Sequence, residues 1–398
     1  MNTTAEREYL QTHPWISFRL DLRRIPHALW ALFGEARSKC EHVAGTPLRP
    51  ETQMELHQMF LAKGVLATTA IEGNTLSEEE VRLHLEGRLE LPPSREYLAK
   101  EIDNVVRACN GIASDIFEGN LQPLSVDVIS GFNAMILDGL ELEDPTVVPG
   151  EIRKKPVGVA RYRGAPHEDC DFLLERLCDW LNSPEFTVVD RELSLVYAII
   201  RAVIAHIYVA WIHPFGDGNG RTARLVEFRI LVASGVPTPA AHLLSNHYNH
   251  TRAEYYRQLD AASRSGGDIV PFMAYAARGF VDGLRDQLEI VRRQHHSDVW
   301  TNFVHDRFKD RDTPADRRKR HLVLDLTAHG APVPVGKLRE LSPRLASAYA
   351  AKTSRTLSRD VNELVEMGLI AKQPAGYVAR TDVILAFLPR AAESAGLI

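Results

Sequence analysis

Apolar residues recur at three- and four-residue spacing along most of the chain up to about residue 300, the pattern of helices buried along one face. Helix start and stop signals bracket Met54–Glu72, Glu78–Gly87, Arg95–Phe117, Ser125–Leu137, Phe172–Asn182, Leu195–Ile212, Arg221–Ser234, Thr251–Ala262 and Val270–Gln294. Two-residue alternation is scarce: Ile152–Tyr162 predicts a short hairpin and Gly376–Arg380 a strand. The stretch Leu195–Ile212, LVYAIIRAVIAHIYVAWI, is apolar nearly all round and long enough for a bilayer. Arg201 and His206 lie inside it, so it predicts the buried central helix of a domain and no membrane span. The expected architecture is an all-helical body, a small β-hairpin flap and a mixed C-terminal module.

Composition supports a folded, water-soluble chain. Its 398 residues carry 47 Lys+Arg against 52 Asp+Glu, a net charge of −5, and 45% are hydrophobic, which excludes a disordered or fibrous protein. That length predicts two or three domains. Cys40, Cys109, Cys170 and Cys178 show neither a CxxC nor a metal-ligand spacing, so a disulfide scaffold is excluded. Together with an N-terminus that is charged where a signal peptide is apolar, they predict a cytoplasmic location. Charge divides unevenly: residues 301–398 hold 16 Lys+Arg against 11 Asp+Glu, a net of +5, leaving −10 for residues 1–300. Asp306–Arg320, DRFKDRDTPADRRKR, is polar and broken by Pro314, as a linker or a solvated helix end would be.

The chemistry concentrates in His213-Pro-Phe-Gly-Asp-Gly-Asn-Gly-Arg-Thr-Ala-Arg224, between the apolar helix and the next one. Gly218, Asn219 and Gly220 can take positive φ and present successive backbone N–H groups, while the following helix adds the positive end of its dipole. The segment is an anion cradle. Arg221 and Arg224, three apart on one helix face, supply forks suited to phosphate oxygens and complete a polyphosphate clamp. Asp217 is a hard oxygen ligand for Mg²⁺, which takes one or two carboxylates plus substrate phosphates. His213 titrates near neutrality and can act as general base toward a hydroxyl. No GxxxxGK[ST] is present, so the cradle is not a P-loop.

This segment resembles the signature of Fic-domain proteins, His-Pro-Phe-x-Asp/Glu-Gly-Asn-Gly-Arg-x-x-Arg, at every specified position. The resemblance implies transfer of AMP from ATP to a protein hydroxyl. It makes His213 the base, Phe215 a core anchor and Asp217 the Mg²⁺ ligand. Gly218, Asn219 and Gly220 then hold phosphates, with Arg221 and Arg224 at the β/γ end. Fic-fold kinases carry a bulkier basic residue where Gly218 stands, so adenylyl transfer is the implied reaction.

A second motif, Thr68-Thr-Ala-Ile-Glu-Gly-Asn74, places Glu72 141 residues before His213. Thr68 and Glu72 share a helix face at i and i+4, Gly73 suits a left-handed helix end, and Ser77 with Glu80 forms a capping box for the next helix. On the residues alone this is a helical hairpin with Glu72 exposed. It also resembles the inhibitory motif Ser/Thr-x-x-x-Glu-Gly/Asn of autoinhibited Fic proteins, which implies that Glu72 pairs with Arg224 and competes with ATP. Pro149-Gly-Glu-Ile-Arg153 through Pro166 stands where the Fic flap docks a target segment by strand addition. Ser245–Tyr256 is similar to a helix that closes over the nucleotide, so Tyr255 or Tyr256 is a candidate adenine contact, with core aromatics the competing reading. His206 is expected to be a core histidine.

Downstream, Ser342–Ala346 starts one helix, Ser354–Gly368 forms a second, and Ile370–Arg380 can make a β wing. This resembles a winged helix-turn-helix with Arg355 and Arg359 at i and i+4, a module for DNA or for a protein partner. The expected fold class is thus an all-α Fic core with a small β-hairpin flap plus a C-terminal winged-helix (α+β) module. The expected divisions are an N-terminal helical region (1–120) with the inhibitory motif, a Fic domain (121–300), a linker (301–320) and a winged helix (321–398). Expected partners are ATP, a target protein offering a Ser, Thr or Tyr hydroxyl, the chain itself as acceptor, DNA and a second copy. Removal of AMP by the same site and nucleotide-sensing transcriptional regulation are the competing functions.

Overall fold

A computed structural model describes residues 7–159, 162–186 and 190–385. The chain divides into two compact units, Met1–Val291 and Arg292–Ile398, each with its own hydrophobic core.

The first unit is helical. Its elements run α1 (Tyr9–Thr12), α2 (His27–Gly45), α3 (Pro50–Ala70), α4 (Glu78–Leu85), α5 (Glu96–Phe117), α6 (Val126–Leu137), the hairpin β1 (Gly158–Val159) and β2 (Tyr162–Arg163), α7 (Cys170–Leu181), α8 (Ser194–Ile212), α9 (Asn219–Ala233), α10 (Thr238–Ala241), α11 (Leu243–His250), α12 (Arg252–Arg264) and α13 (Val270–Arg307), which runs on into the second unit. The apolar segment is the centre, as its pattern requires. Val203, Ile204, Ala205, Ile207 and Val209 are fully buried in successive directions around α8, while α2, α7 and α9 pack on it. Each such Val or Ile side chain contributes roughly 1.5–3 kcal/mol relative to exposure. The expected capping box is present: Ser77 N donates to Glu80 Oε2 (2.8 Å) and Glu80 N to Ser77 Oγ (3.2 Å).

Two local expectations shift. Helix α2 supplies a core face of Leu29, Phe33, Ala36 and Cys40 from a segment whose polar residues blurred its period. The hairpin expected over Ile152–Tyr162 is shorter, pairing Gly158 with Arg163 and Val159 with Tyr162. Its intended tip, Ala160–Arg161, lies outside the described residues. Ahead of it Ile152 bridges Phe215, because Arg153 N donates to Pro214 O at 2.9 Å and draws that backbone onto the His213 loop.

In the second unit, α14 (Pro314–His329), α15 (Pro343–Tyr349) and α16 (Ser354–Glu366) precede β3 (Ile370–Gln373) and β4 (Gly376–Ala379). The strands pair antiparallel from Ile370↔Ala379 to Gln373↔Gly376, and Val333 bridges Tyr377 on the other edge of β4. Gly376 (φ +146°) lies so close to the Val333 backbone that a Cβ has no room. The core joins Trp300, Phe308, Leu322, Leu326, Leu357 and Leu364. Within the expected linker 301–320, α13 continues to Arg307 and α14 begins at Pro314, so Asp306–Arg320 holds two helix ends. Pro314 sits at the first helical position, where its missing N–H costs nothing, and Thr313 Oγ1 caps Asp316 N at 3.2 Å. Proline here opens a helix. Residues 386–398 of the expected winged module lie outside the described residues.

Candidate active site

Helix α8 ends at Ile212, and His213 caps it with left-handed backbone (φ +53°), a conformation that L residues rarely adopt. Two bonds hold it there: His213 N donates to Val209 O (2.9 Å), and Arg153 Nε donates to His213 O (2.7 Å). The Arg153 guanidinium also donates to Lys155 O (2.7 Å) and to Ala165 O, fastening the flap base to the loop. Gly164 passes so close that a Cβ would meet His213 Cβ and Arg153 Nη2.

The loop that follows is built from its own side chains. Phe215 is fully buried, and Asn219 staples it: Phe215 N donates to Asn219 Oδ1 (2.9 Å) and Asn219 Nδ2 donates to Phe215 O (2.8 Å). The Asn219 side chain is therefore engaged within the loop. Gly218, at φ +73°, is the residue before α9, and Thr222 returns a bond to its carbonyl (2.9 Å). From α6, Asn133 Nδ2 donates to Asp217 O (2.9 Å) and Thr222 Oγ1 (3.2 Å), while its Oδ1 accepts from Gly150 N (3.0 Å). The N–H groups of Asn219, Gly220 and Arg221 bond no acceptor among the described residues, as expected of a helix first turn aimed at an anion.

Both arginines are buried. Arg221 Nη1 donates to Glu101 Oε1 of α5 (2.9 Å) and Nη2 to Asp217 Oδ1 (3.3 Å), and Nε has no partner. Arg224 Nη2 donates to Glu72 Oε1 (2.5 Å) and Thr68 O (2.8 Å), whereas its Nε and Nη1 are buried without partners. Unpartnered buried guanidinium N–H groups are costly in a resting protein, and a phosphate oxygen satisfies them. Thr68 takes part through its carbonyl; its hydroxyl bonds Gly64 O (3.0 Å). Glu72 lies in the turn just beyond α3, closed by Gly73 at φ +108°. It sits over Gly220, where any Cβ would collide with its Oε1.

Glu72 and Gly220 line a cavity of about 490 Å³ together with His213, Tyr162, Trp211, Tyr255 and Tyr256. Burial, aided by Arg153, lowers the His213 pKa to about 4, so the ring is neutral at physiological pH. Its Nδ1 lies 3.4 Å from Ala210 O; the tautomer with the proton on Nδ1 donates there and leaves the Nε2 lone pair free. Burial works to raise the Glu72 carboxyl, but Arg224, Arg221 and His213 outweigh it and hold its pKa below the ordinary glutamate value.

Asp217 Oδ1 accepts from Gly218 N and Arg221, and its side chain is 43% exposed. Its Oδ2 has no partner among the described residues, so a single exposed carboxylate beside the anion cradle fits a Mg²⁺ that takes its other ligands from phosphate and water. Tyr255 belongs to the core: its hydroxyl bonds His206 Nε2 (2.9 Å) and its ring stacks on Tyr248 at 4.9 Å, leaving one ring edge on the cavity. His206 is the core histidine that its place in α8 implied. Tyr256, 41% exposed, lines the cavity wall, as Tyr162 and Trp211 do. Arg355 and Arg359 belong to the second unit, exposed on α16. The reading from sequence missed Arg153, Asn133 and Glu101. Asn133 alone left a trace, as an amide inside the apolar run of α6.

Residues 123–231 match the Fic/DOC family. Over 214 residues the chain is 34% identical to a protein named protein adenylyltransferase fic-1 from Caenorhabditis elegans, covering 54% of this chain and 38% of that one. It is 27% identical over 211 residues to protein adenylyltransferase Fic from Nematostella vectensis, covering 53% of this chain and 45% of that one. The chain thus spans less than half the length of these relatives. The fold is similar to that of a solved Caenorhabditis elegans Fic-1 (TM-score 0.54, 25% identity, 67% of this chain and 74% of that one). A Fic family protein from Desulfovibrio desulfuricans G20, at 20% identity, shares the fold alone (TM-score 0.52, 87% of this chain and 95% of that one). The helices that carry His213, Arg221 and Arg224 are those of a Fic/DOC-family domain.

Proposed function

We propose that this chain is a protein adenylyltransferase that moves AMP from ATP to a Ser, Thr or Tyr hydroxyl of a target protein and is held quiet by Glu72. The observation that carries the reading is the Glu72–Arg224 bond of 2.5 Å across Gly220, in the same cavity as a neutral His213.

The N–H groups at the start of α9, with Arg221 and Arg224, bind the β- and γ-phosphates of ATP and so place the α-phosphorus near His213. His213 Nε2 takes the proton from the target hydroxyl, whose oxygen forms a bond to the α-phosphorus. The bond from that phosphorus to the pyrophosphate oxygen breaks, and pyrophosphate leaves with the charge that the arginines stabilise. Asp217 would hold a Mg²⁺, which when bound neutralises phosphate charge. While Glu72 holds Arg224 Nη2 and lies over Gly220, its carboxylate occupies the place where the γ-phosphate would meet that guanidinium, and ATP settles poorly or in an unproductive pose.

Labelled ATP tests this with the full chain, as wild type, Glu72→Gly and Glu72→Gly/His213→Ala, with the chain itself as one acceptor. AMP incorporation rises in Glu72→Gly and falls by about 10²–10⁴ when His213 is also removed, the range for a lost general base. Incorporation that survives loss of His213 would falsify its role. Release of AMP from a modified acceptor that requires Glu72 would instead favour the reverse reaction.

The C-terminal unit supports a second reading. Its order of helices, the β3–β4 hairpin and the Val333 bridge suit a winged helix, and α16 presents Arg355 and Arg359, neither ion-paired among the described residues. DNA binding that weakens steeply with salt supports a nucleic-acid role, and no binding at low salt removes it.

A further inference from the structure

Each arginine of the cradle meets a glutamate, and the two glutamates differ in kind. Glu72 comes from a turn and is 32% exposed; Glu101 comes from the second turn of α5 and is 16% exposed. Glu101 divides its carboxylate. Oε1 accepts from Arg221 Nη1 at 2.9 Å, and Oε2 accepts from Asn74 Nδ2 at 2.8 Å. Asn74 is buried two residues after Glu72, donates also to Leu98 O (2.9 Å), and accepts from Leu76 N through Oδ1 (3.0 Å). One carboxylate therefore touches both the phosphate cradle and the turn that carries Glu72.

A buried guanidinium requires a counter-charge. Asp217, the other carboxylate on Arg221, lies farther away (3.3 Å) and is 43% exposed, so water screens it. Glu101 is the enclosed partner, and it takes Nη1 while Nε stays unbonded. A guanidinium fixed on one edge and open on another is pre-organised for an anion, because its rotamers are already restricted before the ligand arrives.

We propose that Glu101 is a positioning residue for nucleotide binding, which aims Arg221 into the cradle and through Asn74 ties that arginine to the Glu72 turn. The proposal rests on the reading of the cradle as a nucleoside triphosphate site. Because Arg221 and the turn share one carboxylate, a ligand that pulls on Arg221 loosens the turn, and release of the turn eases binding at Arg221, as reciprocity of coupled sites demands.

The test is calorimetric ATP affinity of the full chain in the Glu72→Gly background, for Glu101→Ala, Arg221→Ala and the pair. Glu101→Ala weakens ATP about tenfold, the loss that one tightly held charge-assisted contact brings. Arg221→Ala weakens it more, and the double variant binds no worse than Arg221→Ala alone, since Glu101 acts only through that side chain. Glu101→Asp recovers part of the loss, and Glu101→Gln, of equal volume, carries the test if the alanine variant does not fold. Losses that multiply in the double variant, or Glu101 variants that bind like their parent, overturn the proposal. Should the Glu72→Gly parent bind no ATP, the nucleotide reading fails and this inference with it. Asn74→Ala tightens ATP several-fold only while Glu72 is present; unchanged affinity there removes the tie to the turn.

Discussion

Each unit holds a buried arginine against a carboxylate, Arg318 with Asp360 and Arg224 with Glu72, and these two pairs are finished differently. In the second unit Arg318 and Asp360, 8% and 2% exposed, meet through Nε (2.8 Å) and Nη2 (2.7 Å) on Asp360 Oδ2, which also accepts from Tyr349 OH (2.9 Å). The Arg318 guanidinium lies 5.1 Å from the centre of the Tyr349 ring. In the first unit Arg224 is 1% exposed with two nitrogens unpartnered, and Glu72 is 32% exposed. A buried ion pair with no buried donor left unpaired holds structure together; one with two unpaired donors beside a cavity has capacity for a ligand. The same residue types thus serve stability in one place and readiness in the other, and the surrounding hydrogen bonds decide which.

Asp360→Ala breaks this comparison most severely. It strands Arg318 and costs about 3–5 kcal/mol, the range for removing one partner of a buried pair. Hydrogen exchange across α14–α16 reads the loss, and protection that stays native there refutes a structural role for the pair.

Acid sharpens the contrast at intermediate size. Burial lowers both His213 and His242, in the first unit, to about 4. Between the unfolded value near 6.5 and about 4 the unfolded chain binds protons that the folded unit does not, so stability falls as pH falls through that window. The slope reaches at most about 1.4 kcal/mol per pH unit for each histidine. Exchange protection of α8 and α11 should decline from pH 6.5 to 4.5 before that of α14; the opposite order contradicts the assignment. In the same experiment on catalysis, the acid limb of AMP transfer in Glu72→Gly lies well below pH 6. Glu72 raises the His213 pKa, so its removal moves that limb lower still.

Glu72→Gly has the smallest effect on folding. Because Glu72 is partly exposed and water can reach its place, we expect a loss of about 1 kcal/mol or less by thermal unfolding, although ATP affinity rises. A loss as large as that of Asp360→Ala would make the two pairs equivalent and end the distinction.

Much of the first unit was legible in the residues. Helix α8 announced itself because a helix apolar on all faces has only one stable place, and the His213–Arg224 loop because its chemistry is contiguous. Pro314 left a linker and a helix end both open, because a proline that interrupts a polar run also opens a helix, and the fate of Arg318 and Lys319 depended on Asp360 and Glu363, 42 and 44 residues away. Arg153, Asn133 and Glu101 were silent for the same reason: they reach the loop or Arg221 across 60, 84 and 120 residues.

Sequence alone determined the helical periods, the central helix, the caps and the residue types of the loop, all of which follow from interactions within a few positions of one another. Tertiary structure decided which carboxylate neutralises which arginine, that the Asn219 side chain serves the loop and not a ligand, and that His213 is neutral. Desolvation and Coulomb energy depend on distance and enclosure in space, and chain order does not encode either.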